Sequence, residues 1–236
     1  QPKLAELASA QRAYVKNFVQ GFDDALTANV AAGWRNRTHP DSIDRASWVD
    51  HHILNVLAMN VDGLARSTYL TKDRAGRLNA GPVWDFDRAL GGGDPRSQNY
   101  GVWMGDNGAT DYWTYGWWGL LAQDPEFLQA WVDRWQLLRR TELSAPSLGA
   151  LVDTLAGQIG PAAAARDAAR WPDNAPRFGG GWPGEVDALK SWLARRATWI
   201  DTHFAAAPTV VAGAGTLTVT PAPGTQLAYT TDGTDP

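Results

Sequence analysis

The chain has 236 residues, a formal net charge of −4 and no cysteine. Its length suits one domain and a short further segment, because single hydrophobic cores stop growing at about 250 to 300 residues. A slightly acidic chain without a long Lys/Arg block has no electrostatic basis for binding nucleic acid, and the lack of cysteine excludes disulfides and thiolate chemistry. No apolar stretch approaches the roughly 18 residues of a transmembrane helix, so we expect no membrane span in this chain.

Helical periodicity dominates the first 200 residues. Apolar side chains recur at three- and four-residue spacing over residues 4–28, and Asp44 is placed to cap a second helix that ends near Asn60. Further helices are predicted from Asp124-Pro125 onward and over residues 147–159, 161–170 and 185–204. The predicted fold class is therefore mainly α with one small β-hairpin.

The hairpin is predicted from residues 68–71 and 78–84, with a turn at residues 73–76. Antiparallel strands bring the chain back to its start, so we expect Asp62 and Asp85, which flank the two strands, to converge. Asp87 lies two residues further on and shares the side of Asp85 if the chain stays extended. The sequence thus predicts a cluster of three acidic side chains beside the Gly-rich segment 91–93.

Several chemistries use such carboxylates. In phosphoryl transfer one Asp orients the acceptor hydroxyl and another holds Mg²⁺, whereas in glycoside hydrolysis two carboxyl groups act as acid and as base or nucleophile. A structural Ca²⁺ site uses the same ligands. A purely structural role, with Asp62 as a cap and the other two acids paired with Arg66 or Arg88, carries equal weight on spacing alone.

Tryptophan is unusually frequent, with 13 residues, four of them between Trp103 and Trp118. Large rings usually fill cores and cover irregular loops, but they also stack on sugars. We expect packing for most of this set and retain carbohydrate stacking as an alternative for Trp113, Trp117 and Trp118.

The composition changes after residue 207, where Thr, Val, Gly, Pro and Ala predominate. Residues 216–220 alternate with period two, and residues 227–231 are predicted to form the next strand. Because two strands do not make a stable domain, we interpret this tail as the start of a β-module. Both termini are expected to be internal to a longer protein.

The residues around the predicted hairpin carry a family resemblance. The runs NVDG at 60–63, RSTYL at 66–70, GRL at 76–78 and GPVWDFDRALG at 81–91 closely resemble the CotH family, the spore-coat-protein-H-like atypical kinases. The resemblance extends over about residues 1–204, and we predict a CotH-like domain at 1–206 followed by the tail at 207–236.

The resemblance implies a kinase-like C-terminal lobe that uses ATP and Mg²⁺. Asp62 matches the catalytic-loop Asp, and Asp85 matches the Mg²⁺-binding Asp, with Asp87 as a second metal ligand or a support. Ser67, at a position where many relatives have Asn, and Arg66 would contact the nucleotide. The acceptor would be a Ser or Thr of an extracellular or envelope protein. The lobe that supplies the phosphate-binding lysine would lie outside these residues, so this chain alone is expected to bind ATP weakly and to transfer little phosphate.

The tail, which ends in YTTDGTDP, resembles the start of a chitobiase C-terminal-like β-sandwich module, often appended to secreted bacterial proteins. This implies a secreted or cell-surface protein. Two other hypotheses stay open: a catalytically silent surface protein that binds carbohydrate or protein through the Trp-rich loop, and a glycoside hydrolase that uses Asp62 and Asp85.

Overall fold

A computed structural model of the chain describes residues 4–35, 37–103, 111–174 and 178–231. Within these ranges the helices are α1 (Ser9–Ala31), α2 (Arg45–Ala58), α3 (Gly116–Leu121), α4 (Pro125–Arg140), α5 (Ala145–Arg170) and α6 (Gly181–Asp201). The strands are β1 (Thr68–Thr71), β2 (Asn79–Val83), β3 (Thr209–Gly213) and β4 (Thr216–Thr220), which form two antiparallel pairs, β1–β2 and β3–β4. The predicted class, mainly α with a small β-hairpin, is confirmed.

The chain divides into two compact units, with the division between residues 135 and 136. This division differs from the sequence-based domain boundary between residues 206 and 207, which stays a prediction. In the described ranges no helix is both long enough and apolar enough to cross a membrane.

Helix α2 runs through the core of the first unit. Asp44 caps it as predicted, because an oxygen of its carboxylate accepts the backbone N–H of Ser47 at 2.8 Å. The buried face carries Trp48, Ile53 and Val56, each at most 1% exposed. Helix α2 packs against β2, and α1 packs against α3. The hairpin therefore packs, through β2, against a helix whose apolar residues Trp48, Ile53 and Val56 are buried.

Hydrogen bonds attach the hairpin to the start of α2. The backbone N–H of Leu78 donates to Ser42 O at 2.8 Å, and Asp44 N–H donates to Leu78 O at 2.9 Å. The indole of Trp48 donates to the same Leu78 carbonyl at 2.9 Å. These bonds satisfy backbone groups that would otherwise be buried without partners, and they fix the position of β2 along the helix.

His52 occupies the centre of an aromatic core. Trp131 Nε1 donates to His52 Nδ1 at 2.9 Å, and Tyr112 O lies 2.8 Å from His52 Nε2. Since an indole N–H can only donate, Nδ1 must be the acceptor and Nε2 carries the proton that is donated to Tyr112. This arrangement suits the neutral imidazole, and burial lowers the pKa of His52 to about 4.

The second unit is built on α5 and α6, which pack together. Helix α5 is broken at Gly160, whose φ of 73° and ψ of 157° are not helical, immediately before Pro161. The predicted break between two helices at this point is confirmed. Within this unit the Arg139 guanidinium donates to the Asp201 carboxylate, with nitrogen–oxygen distances of 3.0 to 3.1 Å.

The tail contains one exposed hairpin. Strand β4 matches the predicted strand at residues 216–220, but its partner is β3, which precedes it. The predicted strand at residues 227–231 is wrong, since these residues have no strand structure. Pro221 and Pro223 follow β4 directly, and the alternation at 227–231 has no described strand with which to pair.

The buried histidines predict a pH-dependent stability. His52 has a pKa of about 4 in the folded chain and 6.5 when unfolded, so between these values the unfolded state binds more protons. Acidification from pH 7 to pH 5 should therefore lower the free energy of unfolding by about 2 kcal/mol through His52. Burial also lowers the pKa of His51, which acts in the same direction. Urea denaturation followed by tryptophan fluorescence at pH 7, 6 and 5 measures the effect.

The matched control uses His203, which is exposed. The variant His203→Gln should retain the full pH dependence, whereas His52→Gln should lose most of it. An unchanged slope of stability against pH in His52→Gln would contradict the neutral, buried imidazole.

Candidate functional site

The loop after α2 presents the first predicted site residue. Helix α2 ends because Met59 adopts a left-handed conformation, with φ of 49°, as its C-cap. The carbonyl oxygen of Asp62 then accepts the backbone N–H groups of Arg66 at 2.9 Å and Ser67 at 3.2 Å, which closes a tight turn. The Asp62 side chain is 23% exposed. This turn carries Asp62, Arg66 and Ser67 on one short segment before β1.

The register of the hairpin differs from the predicted one. Leu70 pairs with Ala80 and Thr71 with Asn79, which centres the hairpin on Ala75, and an irregularity between Thr68 and Leu70 shifts the pairing by one residue, so that Thr68 pairs with Val83. The hairpin is thus centred beyond position 73.5, the midpoint of Asp62 and Asp85, and Asp62 lies in the turn before β1 rather than on the strand. The expected convergence of the two carboxylates stays a prediction.

Asp85 lies beside Ser67. Ser67 Oγ donates a long hydrogen bond of 3.4 Å to Asp85 Oδ2, and Asn60 Nδ2 donates to the Asp85 carbonyl at 3.3 Å. Ser67 and Asn60 are buried, whereas Asp85 is exposed. Asp85 also has φ of 63°, a strained conformation for a residue with a side chain. Buried neighbours thus hold an exposed carboxylate in an unfavourable backbone conformation, as is typical of functional sites.

Asp62 is paired with an arginine. Arg88 Nη1 lies 3.4 Å from Asp62 Oδ2, and the Arg88 side chain is 52% exposed. An exposed ion pair of this kind contributes about 0 to 1 kcal/mol. The structural interpretation of the sequence paired Arg88 with Asp85 or Asp87, whereas in the structure Arg88 contacts Asp62. The contact is weak enough for another group to displace Arg88.

A second charged pair, which the sequence analysis missed, lies beside this one. Arg96 donates through Nη2 to Asp94 Oδ2 at 2.7 Å and through Nε to Asp94 Oδ1 at 2.9 Å. The hydrogen bonds from Arg96 lower the pKa of Asp94 to about 2, and Arg88 and Asp62 also interact electrostatically with this pair. The available signal was Asp94 before Pro95, because an Asp that precedes Pro favours the capped 3-10 turn seen at Pro95–Ser97.

Asp87 and Arg66 are both exposed. Among the described residues, no Lys, Arg or His nitrogen lies within 4 Å of the carboxylates of Asp85 or Asp87. The same part of the chain contains no group of three or more His, Asp or Glu side chains arranged around one metal position. Two uncompensated carboxylates therefore remain at the end of β2, and the expected metal ligation by Asp85 and Asp87 stays a prediction.

The segment after Asp87 is packed tightly back onto the site. Leu90 N–H donates to Ala58 O, the end of α2, at 2.7 Å. A Cβ at Gly93 would lie 1.9 Å from the Asp87 carbonyl oxygen, whereas one at Gly92 would have no neighbour closer than 4.0 Å. Gly93 is therefore required for the close approach that positions the backbone of Asp87.

The Trp-rich segment is mainly a packing element where the structure describes it. Trp118 is 5% exposed and lies 4.6 Å from Trp48 between ring centroids. Trp113 lies 5.2 Å from Trp131, and Trp117 is half-buried. Residues 104–110 of this segment lie outside the described residues. Carbohydrate binding by these rings stays a prediction, and the burial of Trp118 favours packing for that ring.

The two neighbouring glycines predict contrasting effects of the same substitution. Gly93→Ala should lower the free energy of unfolding by about 1 to 3 kcal/mol, because the new methyl group must displace the Asp87 backbone. Gly92→Ala should change it by less than about 0.5 kcal/mol. Urea denaturation of both variants measures the difference. Equal stability of the two variants would contradict the packing of Gly93 on Asp87.

Comparison with known proteins identifies the family. No curated protein and no solved structure is significantly similar to the chain. The profile of the family described as CotH kinase protein matches residues 1–200, which include every predicted site residue. Because this match covers most of the chain, the protein belongs to the CotH kinase family.

Proposed function

We propose that the chain is the catalytic-loop lobe of a CotH-type protein kinase, which transfers the γ-phosphate of ATP to a Ser or Thr hydroxyl. The observation that carries this proposal is the contact between Ser67 and Asp85, 3.4 Å long, beside the turn that carries Asp62. This contact links Asp85, which is expected to bind the metal, to the turn that carries Asp62, which is expected to bind the acceptor. Family membership supports the same reaction class.

The donors present fit Mg²⁺. Mg²⁺ prefers hard oxygen ligands and is usually held by one or two carboxylates, with water and substrate phosphates at its other positions. Asp85 and Asp87 supply such carboxylates. Both side chains are exposed, and in the described part of the chain no Lys, Arg or His nitrogen lies within 4 Å of either carboxylate. These two residues would hold the ion, which when bound neutralises charge on the β- and γ-phosphates.

Asp62 would orient the acceptor hydroxyl and receive its proton as the hydroxyl oxygen attacks the γ-phosphorus and ADP leaves. Its partner Arg88 is about half exposed and the contact is long, so the acceptor can replace it at small cost. Once displaced, the Arg88 guanidinium is available to a phosphate oxygen, for which its planar set of donors is suited. The ion pair thus orients the carboxylate between reactions.

Ser67 and Arg66 would contact the nucleotide from the turn that Asp62 closes. Ser67 is buried and already directs its hydroxyl at Asp85, so it positions that carboxylate. Arg66 is exposed, and its backbone N–H is fixed by the Asp62 carbonyl at 2.9 Å. Because the backbone of Arg66 is fixed and its cationic side chain is exposed, the side chain can extend to bind a phosphate group of the nucleotide.

The acceptor and the cellular location are proposed from the resemblance. A secreted or cell-surface location follows from the chitobiase-like character of the tail, and the acceptor would then be an extracellular or envelope protein. The tail does not bear on the chemistry at Asp62 and Asp85.

Isothermal titration calorimetry of ATP tests the proposal, with and without Mg²⁺, on the full-length protein and on this chain. Binding should require Mg²⁺, and Asp85→Asn should weaken it at least tenfold, because the variant removes a charged metal ligand. Binding by this chain alone should be the weaker of the two. The variant should keep its stability, since Asp85 is exposed and Asn also accepts the hydrogen bond from Ser67.

The matched control is Asp73→Asn in the exposed hairpin turn, which removes the same charge away from the site. It should leave binding unchanged. Metal-independent binding of ATP, or equal losses in Asp73→Asn and Asp85→Asn, would contradict the assignment of Asp85.

A further inference from the structure

A cavity of about 520 Å³ lies in the first unit, apart from the carboxylates of the candidate site. Residues of α1, α2, β1 and α3 line it, among them Asp23, Trp48, Leu70, Trp117 and Trp118. Its volume falls within the range of about 300 to 1,000 Å³ that is usual for pockets that bind small molecules or single side chains. Asp62, Asp85 and Asp87 are not among its lining residues.

The aromatic walls of this cavity are held in place by their own contacts. Trp48 lies between Trp118, at 4.6 Å, and Trp117, at 6.3 Å between ring centroids. Phe22 packs edge-on against Trp48 at 5.6 Å and against Trp117 at 5.0 Å. The Trp48 indole also donates to a backbone carbonyl. The buried rings of Phe22 and Trp48 therefore support Trp117, which is half-buried and lines the cavity.

One carboxylate faces these rings. Asp23 is half-buried, and its Oδ1 accepts the indole N–H of Trp117 at 2.7 Å. Among the described residues, Oδ2 receives no hydrogen bond and no Lys, Arg or His nitrogen lies within 4 Å of the Asp23 carboxylate. A carboxylate held against apolar walls without a cation favours a ligand that brings the positive charge.

We propose that this cavity binds an organic cation, an alkyl-guanidinium or alkyl-ammonium group, with its charge on Asp23 and its stem against Trp117 and Tyr115, the two aromatic lining residues that are not buried. Aromatic faces attract such cations and cover their alkyl stems. Asp23 repels anions, and a neutral apolar ligand would not compensate its charge. The shared chemistry occurs in small free amines and in Arg or Lys side chains of a protein, and it does not depend on phosphate transfer.

Two probes of equal shape test the role of charge: butylguanidinium and its neutral counterpart butylurea, titrated by tryptophan fluorescence and calorimetry at low salt. The wild-type chain should bind the guanidinium at least about tenfold more tightly than the urea. Asp23→Asn should bind the two probes equally, since Asn keeps the acceptor for Trp117 but loses the charge. Asp24→Asn is the control, because Asp24 is exposed and its Oδ1 accepts from Gln20 at 2.9 Å; it should behave as wild type.

Short acetylated peptides distinguish the sources of the cation, one with a central arginine and one with citrulline at that position. Tighter binding of the arginine peptide than of butylguanidinium supports a protein side chain as the natural ligand, and the reverse order supports a free small cation. Equal binding of butylguanidinium and butylurea by the wild-type chain would overturn the proposal without reference to any variant. A preference for guanidinium that survives Asp23→Asn would overturn it as well.

Discussion

The candidate site depends on hydrogen bonds at the two ends of helix α2. At its start, Leu78 is bonded in both directions to the segment that enters the helix, at 2.8 and 2.9 Å. At its end, Ala58 O accepts the N–H of Leu90 at 2.7 Å. The chain between residues 58 and 90 is therefore attached at two points, at Leu78 to the segment that enters helix α2 and at Leu90 to the last residue of the helix. Asp62 and Asp85 both lie within that segment of the chain, so their positions follow from the length and capping of α2.

Around the candidate site, the charges are distributed unequally. Asp62 has Arg88 as a partner, and Asp94 is fully engaged by Arg96, which lowers its pKa to about 2. Where the structure describes the chain, the Asp85 carboxylate accepts from the hydroxyl of Ser67 and has no Lys, Arg or His nitrogen within 4 Å. The proposed roles follow this difference: Asp62 has a weak cationic partner that an acceptor can replace, and Asp85 is exposed to a cation from solution. A residue held at φ of 63° stores backbone strain of the kind that clusters at functional sites.

Most helices and the first hairpin could be predicted from the sequence because each has a local physical cause. Apolar periodicity and the Asp44 cap determine α2, and Gly160-Pro161 breaks α5. Strand β3 was not predicted, and the register of the first hairpin could not be predicted, since an irregularity between Thr68 and Leu70 shifts the pairing by one residue. The Asp94–Arg96 pair depends on a 3-10 turn without periodicity, and the role of Gly93 becomes visible only when its neighbour is known. The sequence was sufficient to predict that Asp62, Ser67 and Asp85 lie near one another around the hairpin. It was not sufficient to predict which of them contact each other.

The most direct test of the account is a crystal structure of the full-length protein with Mn²⁺ and a non-hydrolysable ATP analogue, with the metal located by its anomalous signal. The account predicts a manganese peak bonded to a carboxylate oxygen of Asp85 and to phosphate oxygens, with the terminal phosphate directed toward Asp62. A nucleotide bound elsewhere, or a manganese ion without a bond to Asp85, would contradict the proposed phosphotransferase site.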